Sequence, residues 1–169
     1  MRRPPIEIRK SRREDIDRIM AVYDAARAFM RAGGNMTQWN NGYPSRETIL
    51  ADIAAGNHYT GTDPEGEIAM VFAFIAGDDP TYAIIEDGAW PDDSPYGTIH
   101  RLASSGRYCG MLAACTAFAM KQTGTVRLDT HTDNHAMRMA AERLGFVRCG
   151  TIYCQDGTPR IAYQLNAEA

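Results

Sequence analysis

The strongest constraint on the fold is the regular alternation of strand-like and helix-like segments in the second half of the chain. Strand and helix patterns follow one another at residues 98–103, 111–121, 125–130 and 134–144. Two further strand-like segments, residues 146–153 and 160–165, flank a turn-rich stretch and predict a terminal antiparallel hairpin. This order predicts an α/β fold whose central sheet is mixed and mostly antiparallel, with helices on both faces.

The first half adds two helices and three strands. Residues 6–9 alternate apolar and polar side chains, which is typical of a short strand. Ser11 and Glu14 fit a capping box in front of an amphipathic helix that ends near Gly33. A second helix is predicted after Ser45, and strands are predicted at 57–62 and 67–76.

The longest irregular segment, residues 77–97, is rich in Asp, Gly and Pro and contains one strand-like piece at 82–85. Loops of this length in a compact domain are usually functional or contain secondary structure that the sequence does not reveal. No linker composition interrupts the chain, so we predict a single domain over residues 1–169.

Composition and charge exclude several function classes. The 18 basic and 21 acidic residues give a net charge of −3, which argues against a nucleic-acid-binding domain. The longest apolar run, residues 68–76, is far shorter than the roughly 20 residues of a membrane helix. The start of the chain has no secretory signal pattern, and the four cysteines include no CxxC pair, so we expect free thiols in the cytoplasm.

The first thirteen residues are locally basic. They could hold a phosphate or an acidic partner, or form a solvated terminus and helix start, and the second interpretation is favoured. The residues concerned are Arg2, Arg3, Arg9, Lys10, Arg12 and Arg13.

A glycine-bearing turn joins the strand at 98–103 to the helix that follows. Gly106 and Gly110 allow a close backbone approach, and the helix start presents N–H groups that can hold phosphate oxygens. The segment matches neither GxxxxGK[ST] nor GxGxxG, so those nucleotide motifs are absent from it.

The residues that follow carry a family resemblance. The order strand, RxxG helix start, strand, helix beginning at Asn134 and the sequence ERLGF at 142–146 resembles the GNAT-superfamily N-acetyltransferases. The resemblance covers nearly the whole chain. Residues 38–44, 84–90 and 156–163 are also similar to a bacterial subgroup of that family.

The resemblance implies a GNAT-like fold that binds acetyl-CoA as co-substrate. In such enzymes the end of the strand pairs with the pantetheine amides, the following loop holds the pyrophosphate, and an Asn contacts the pantetheine arm. Carried over to this sequence, the cofactor-binding residues are Leu102, Ala103, Arg107, Tyr108, Cys109, Gly110, Met111, Leu112 and Asn134.

Two positions depart from the family pattern. Leu112 stands where the family has Gly or Ala, so a bulky side chain could crowd the pyrophosphate or push the helix outward. Ala141 stands where the family often has a tyrosine acid, which leaves Tyr153 or Tyr163 as alternative proton donors. A thiolate with a pKa near 8.5 can also leave without a strong acid.

Candidates for the remaining chemistry are a general base and an acceptor site. His100, beside the expected thioester, and Glu86, in the long loop with Asp87, are the candidate catalytic residues, since a base must reach the amine proton directly or through one water. For each, the alternative is a structural histidine or a solvated loop carboxylate. We expect Trp39, Tyr43 and Asp129 to bind the acceptor, although the two aromatic rings could equally pack the loop onto the sheet.

A metal site is the remaining alternative. Asp129, His131, Asp133 and His135 would share one face of an extended strand. Because Asp133 or Asn134 is a natural helix N-cap, the strand should end before them, and we predict no bound metal.

These observations predict a cytoplasmic acetyltransferase that transfers the acetyl group directly to a small primary amine or a peptide N-terminus. It should bind neither nucleic acid nor membrane, and the edge of the terminal hairpin could support a homodimer. The alternatives are a non-catalytic CoA-binding sensor or assembly module with a degenerate GNAT site, and a transferase that uses another acyl donor.

Overall fold

The computed structural model describes residues 4–168, so Arg2 and Arg3 of the basic N-terminal cluster lie outside the described residues. This part of the chain forms seven strands and four α-helices. It divides into two compact units, residues 4–74 with 101–115 and residues 75–100 with 116–168. In the described part, no helix has both the length and the apolar character needed to cross a membrane.

The first unit contains the strands β1 (Glu7–Lys10) and β2 (His58–Thr62), the helices α1 (Ile16–Ala32) and α2 (Arg46–Ala54), and most of β3 (Ile68–Ala76). β1 pairs antiparallel with β2, and β2 pairs antiparallel with β3. The end of β4 (Gly97–Ser104) and the start of α3 (Met111–Thr123) also belong to this unit.

The core of the first unit forms because α1 repeats apolar residues at helical spacing. Ile16, Ile19, Tyr23 and Ala26 are buried on one face, where they pack in one cluster with Ile49 of α2 and with apolar residues of β3. Ser45 caps α2 as predicted, because its Oγ accepts a hydrogen bond from the Thr48 N–H at 3.1 Å.

The second unit contains β5 (Thr125–Thr130), α4 (His135–Arg143), β6 (Val147–Tyr153) and β7 (Pro159–Asn166). β7 pairs antiparallel with both β5 and β6, so the predicted terminal hairpin is confirmed. The strands of the sheet are hydrogen-bonded in the order β1-β2-β3-β4-β5-β7-β6. Since β4 and β5 run parallel and the other described pairs run antiparallel, the predicted mixed α/β fold is confirmed.

Two local predictions were wrong. Ser11 is not a helix cap: its Oγ is buried and hydrogen-bonded to His58 and Thr60, and the Asp15 carboxylate instead accepts from the Arg12 N–H. The expected strand at 82–85 is absent, because a 3-10 turn (Pro80–Tyr82) occupies its start and Asp79 caps that turn. Glu86, just beyond, makes an isolated strand-like bridge with Thr151.

Candidate active site

His100 lies in β4, and its ring is held by a carboxylate from the long loop. Its Nε2 is 2.8 Å from Oδ2 of Asp79, and the two side chains are 19% and 15% exposed. Burial alone would raise the pKa of Asp79, but hydrogen bonds from His100 and Thr81 outweigh it and bring that pKa to about 2. Because a carboxylate only accepts hydrogen bonds, Nε2 carries the proton and Nδ1 is the ring nitrogen left to act as a base.

The strand that carries His100 pairs in parallel with β5 near its start. The pairs are Gly97 with Val126 and Thr98 with Arg127, so His100 lies two residues beyond the second of them.

An aromatic cluster lies beside His100. Tyr82 is 2% exposed, its ring centroid is 6.3 Å from that of His100, and its hydroxyl donates to Oδ2 of Asp129 at 2.6 Å. Burial and the nearby Asp129 charge raise the pKa of Tyr82 well above its usual value. Asp129, predicted to bind the acceptor, therefore accepts a hydrogen bond from a neutral tyrosine.

Glu86 occupies a different part of the same unit. Its carboxylate accepts a hydrogen bond from the Tyr153 hydroxyl at 2.9 Å, and its backbone exchanges two hydrogen bonds with Thr151. The Glu86 contact raises the pKa of Tyr153, which makes that hydroxyl a weaker acid. His100 and Glu86 thus have separate partners, Asp79 and Tyr153.

Two glycines allow the loop to approach β6 at this bridge. A Cβ at Gly88 would lie 1.9 Å from the carbonyl oxygen of Cys149, and a Cβ at Gly150 would lie 2.4 Å from the carbonyl oxygen of Glu86. Only residues without a side chain permit these backbone contacts.

The predicted phosphate-binding loop lies in the first unit. Gly106 and Gly110 both adopt left-handed backbone conformations with φ near 80°, as a tight turn before α3 requires. Tyr108 donates from its hydroxyl to Asp63 at 2.8 Å, and the Arg107 guanidinium lies 3.7 Å from the same carboxylate. Burial would raise the pKa of Asp63, but hydrogen bonds from Tyr108 and from backbone N–H groups lower it overall. Asp63 therefore holds the first turn of this loop.

The remaining residues of this loop continue into α3. Leu112, the departure from the family pattern, is 7% exposed, so its side chain is packed in the interior rather than displayed at the helix start, and Met111 is buried to the same extent. Cys109 is partly buried. Upstream, Ala103 of β4 is buried, and Leu102 is partly exposed.

Asn134 is the N-cap of α4, as the sequence allows. Its Oδ1 accepts from the Met137 N–H at 3.2 Å, so the oxygen that could face a pantetheine amide already has a backbone partner. Ala141 is fully buried and offers no hydroxyl. Tyr163, an alternative proton donor, is buried and donates to Glu142 at 3.1 Å, and burial raises its pKa.

The two loop aromatics predicted at the acceptor site behave differently. Trp39 is partly buried and packs edge-on against Tyr23, with ring centroids 5.6 Å apart, so it fixes the loop to α1. Tyr43 is 41% exposed, and its hydroxyl accepts from the guanidinium of Arg101 at 3.2 Å. Arg101 also makes two 2.9 Å hydrogen bonds to the Asp52 carboxylate.

The extended four-residue metal alternative is not formed. β5 ends at Thr130 and α4 begins at His135, so the alternation is broken within the four residues. Within residues 4–168, no three His, Cys, Asp or Glu side chains come together in a group that could hold a metal ion.

Solved structures place the chain among known enzymes. A GNAT-family acetyltransferase from Streptococcus agalactiae is 33% identical over 97% of this chain and 96% of its own, with a TM-score of 0.85. The chain belongs to the GNAT family of acetyltransferases. GNAT-family acetyltransferases from Listeria monocytogenes (19% identity, 95% and 94% of the two chains, TM-score 0.70) and Bacillus cereus (16%, 98% and 99%, 0.62) share the fold.

Neither a protein-family model nor a curated protein matches the chain. The solved relatives nevertheless establish this GNAT protein as an acyltransferase, as predicted from the ERLGF segment and the order of its elements.

Sequence reasoning missed three residues of this GNAT domain. Asp79 was one of several acidic loop residues, and no spacing linked it to His100, which lies 21 positions later. Arg101 has a φ of 52°, unusual for a residue in a strand, and its carbonyl oxygen accepts from the buried Tyr23 hydroxyl at 2.8 Å. The third is His58, the first residue of β2, which belongs to no motif in the sequence.

His58 is neutral and buried in a directional hydrogen-bond chain. Since the Tyr23 hydroxyl donates to Arg101, its oxygen must accept from Nε2–H of His58, 3.1 Å away. Nδ1 of His58 then accepts from the Ser11 hydroxyl at 2.7 Å. Burial, reinforced by the Arg101 charge, lowers the pKa of His58 from 6.5 to about 4.

Because His58 is buried in this hydrogen-bond chain, we expect the stability of the protein to depend on pH. The unfolded state binds a proton at His58 below pH 6.5, whereas the folded state does so only near pH 4, so stability falls as pH decreases through that window. The expected contribution is about 3 kcal/mol. Urea unfolding at several pH values between 7 and 4 measures it. The His58→Gln variant should be less stable at pH 7 but show a smaller loss on acidification; equal losses in both proteins would contradict the assignment.

Proposed function

We propose that this GNAT acetyltransferase transfers the acetyl group of acetyl-CoA directly to a small primary amine, with His100 as the general base. The observation that supports this most strongly is the 2.8 Å contact between His100 and Asp79, which fixes the imidazole on β4. A base there has a fixed ring, a nitrogen without a protein partner in residues 4–168, and access to solvent.

The chain offers groups that fit acetyl-CoA. Backbone amides at the start of α3, with Gly106 and Gly110 before them, suit phosphate oxygens, and the family resemblance implies that the end of β4 pairs with the pantetheine amides. The Leu112 side chain is buried in the interior, and this burial does not support the predicted crowding of the pyrophosphate. When bound, acetyl-CoA supplies a thioester as acetyl donor.

The chemical role that we assign to the protein is to accept a proton from the amine. Once a cationic amine has lost one proton to solvent, its nitrogen lone pair would attack the thioester carbonyl carbon. Nδ1 of His100 would accept the second N–H proton as the N–C bond forms and the C–S bond breaks. The thiolate can leave unprotonated, in keeping with the weakened acidity of Tyr153 and Tyr163. Carboxylates of Glu86 and Asp129 in the same unit would attract a cationic amine. None of the four cysteines forms a disulfide, which suits a cytoplasmic reaction.

The test combines binding and transfer. Acetyl-CoA at 100 times its Kd should raise the free energy of unfolding by about 2.7 kcal/mol. This corresponds to an increase in Tm of about 5 to 11 °C. A panel of primary amines should then yield acetyl-amine and free thiol in equal amounts, while the N,N-dimethyl analogue of each substrate should not react, because its nitrogen, once bonded to the acetyl carbon, carries no proton whose loss would give a neutral amide.

The outcomes separate the functions considered. An unchanged Tm at millimolar acetyl-CoA would contradict the donor assignment. A raised Tm with acetyl-CoA and CoA, but no transfer to any amine, would identify a non-catalytic CoA-binding protein. Transfer from a different acyl thioester alone would correct the donor and leave the amine chemistry in place.

A further inference from the structure

The Asp79 carboxylate is held rigidly against His100. Its Oδ1 accepts from the Thr81 N–H at 2.9 Å and from the Thr81 hydroxyl at 2.6 Å, which leaves Oδ2 directed at Nε2 of His100. The Asp79 N–H donates to the Tyr96 hydroxyl at 2.8 Å, so the backbone is fixed as well. Three contacts therefore determine the direction in which the carboxylate faces the imidazole.

The negative charge of Asp79 acts mainly on His100. Within residues 4–168, Asp79 forms no ion pair with an Arg or Lys side chain, and its side-chain contacts are with Thr81 and His100. The titratable groups that face the pair from neighbouring elements are Tyr82 from the 3-10 turn, Tyr96 from the end of the long loop and, through Tyr82, Asp129 of β5. The negative charge of Asp79 thus favours the His100 tautomer that carries its proton on Nε2.

We propose that Asp79 is the positioning residue of this acetyltransferase: it holds the neutral His100 ring in the Nε2–H tautomer, so that Nδ1 presents its lone pair to the acceptor amine. The inference rests on the proposed role of His100 as base. Without the carboxylate, the ring could rotate, and a neutral imidazole could carry its proton on Nδ1, where it cannot accept another.

The Asp79→Asn variant tests this directly. The Thr81 N–H requires an oxygen acceptor, so the amide oxygen of the new side chain should stay on Thr81 and its NH₂ group should face His100. Nε2 must then accept a hydrogen bond, and the ring proton moves to Nδ1. The ring nitrogen chemical shifts in ¹⁵N NMR distinguish the two tautomers, and the His100 signals are those missing from the His100→Gln variant.

The matched control is Asp78→Asn, which removes the same charge one residue away at an exposed position. We expect Asp79→Asn to switch the His100 tautomer and lower kcat by about 100-fold or more, with little change in the KM for acetyl-CoA. The Asp78→Asn variant should retain the wild-type tautomer and kcat. Thermal unfolding of both variants verifies that they are folded.

Three results would overturn the inference: an unchanged tautomer in Asp79→Asn, a switched tautomer with an unchanged kcat, or an equal loss of kcat in Asp78→Asn. Failure of the proposed function is a separate result. If the wild-type protein transfers acetyl groups to no amine, that function fails, while the nitrogen shifts still decide whether Asp79 sets the His100 ring.

Discussion

Replacing His100 by Gln should lower kcat for acetyl transfer by about 10²- to 10⁴-fold, the range that a general base contributes. Glutamine can still accept a hydrogen bond, but it cannot take a proton from the amine at neutral pH. Because the side chain lies on β4 and not in the loop at 104–112, the affinity for acetyl-CoA should change little. Steady-state kinetics and a binding titration measure the two effects separately.

Two further variants show whether the loss of kcat is specific to His100. His135→Gln changes an exposed histidine at the start of α4 and should behave as wild type. Glu86→Gln tests the second candidate base, whose carboxylate contacts Tyr153 rather than His100. If His100→Gln keeps its kcat and Glu86→Gln loses it, the base is Glu86. Near wild-type rates in both variants would remove both residues from the mechanism.

Replacing Gly88 by Ala should lower the free energy of unfolding by about 4 kcal/mol or more, an exceptionally large effect for a single added methyl group. The new Cβ would lie 1.9 Å from the carbonyl oxygen of Cys149, so one of the two backbones must move. That movement would break the two hydrogen bonds between Glu86 and Thr151. Urea unfolding monitored by circular dichroism gives the loss of stability.

The control for this prediction is Gly157→Ala in the β6–β7 turn. Gly157 has a φ of 80°, but a Cβ there would meet no atom within 4 Å. It should therefore lose only about 1–2 kcal/mol, the cost of the left-handed backbone. A similar loss in both variants would show that backbone conformation and not the contact with Cys149 governs the effect.

Most of the fold could be predicted because it depends on local patterns. The helical spacing of Ile16, Ile19 and Tyr23, the cap at Ser45 and the uninterrupted apolar run of β3 are all properties of adjacent residues, and each prediction is confirmed. The predicted helix cap at Ser11 is wrong because it ignores a contact that is distant in sequence. The local sequence fits a cap, but the Ser11 hydroxyl instead hydrogen-bonds to a buried histidine 47 residues later.

The candidate site was less predictable, because its contacts join segments that are distant in sequence. His100 and Glu86 could be proposed from residue type and position in the chain. Their partners could not: Asp79 and Tyr153 are brought to them by the path of the long loop, and that path depends on the backbone contacts of Gly88 and Gly150. Burial and charge at His58 likewise arise only once β2 packs against α1.

The contact between the long loop and β6 also bears on how such enzymes can diverge. It is made by main-chain atoms of Glu86 and Thr151 and by two glycines that leave room for them, so this contact does not depend on exposed side chains elsewhere in the loop. Ala83 and Ile84 are exposed and free of that constraint. Relatives can therefore accumulate substitutions at such positions while the backbone stays in place, whereas the glycines themselves should tolerate almost no change.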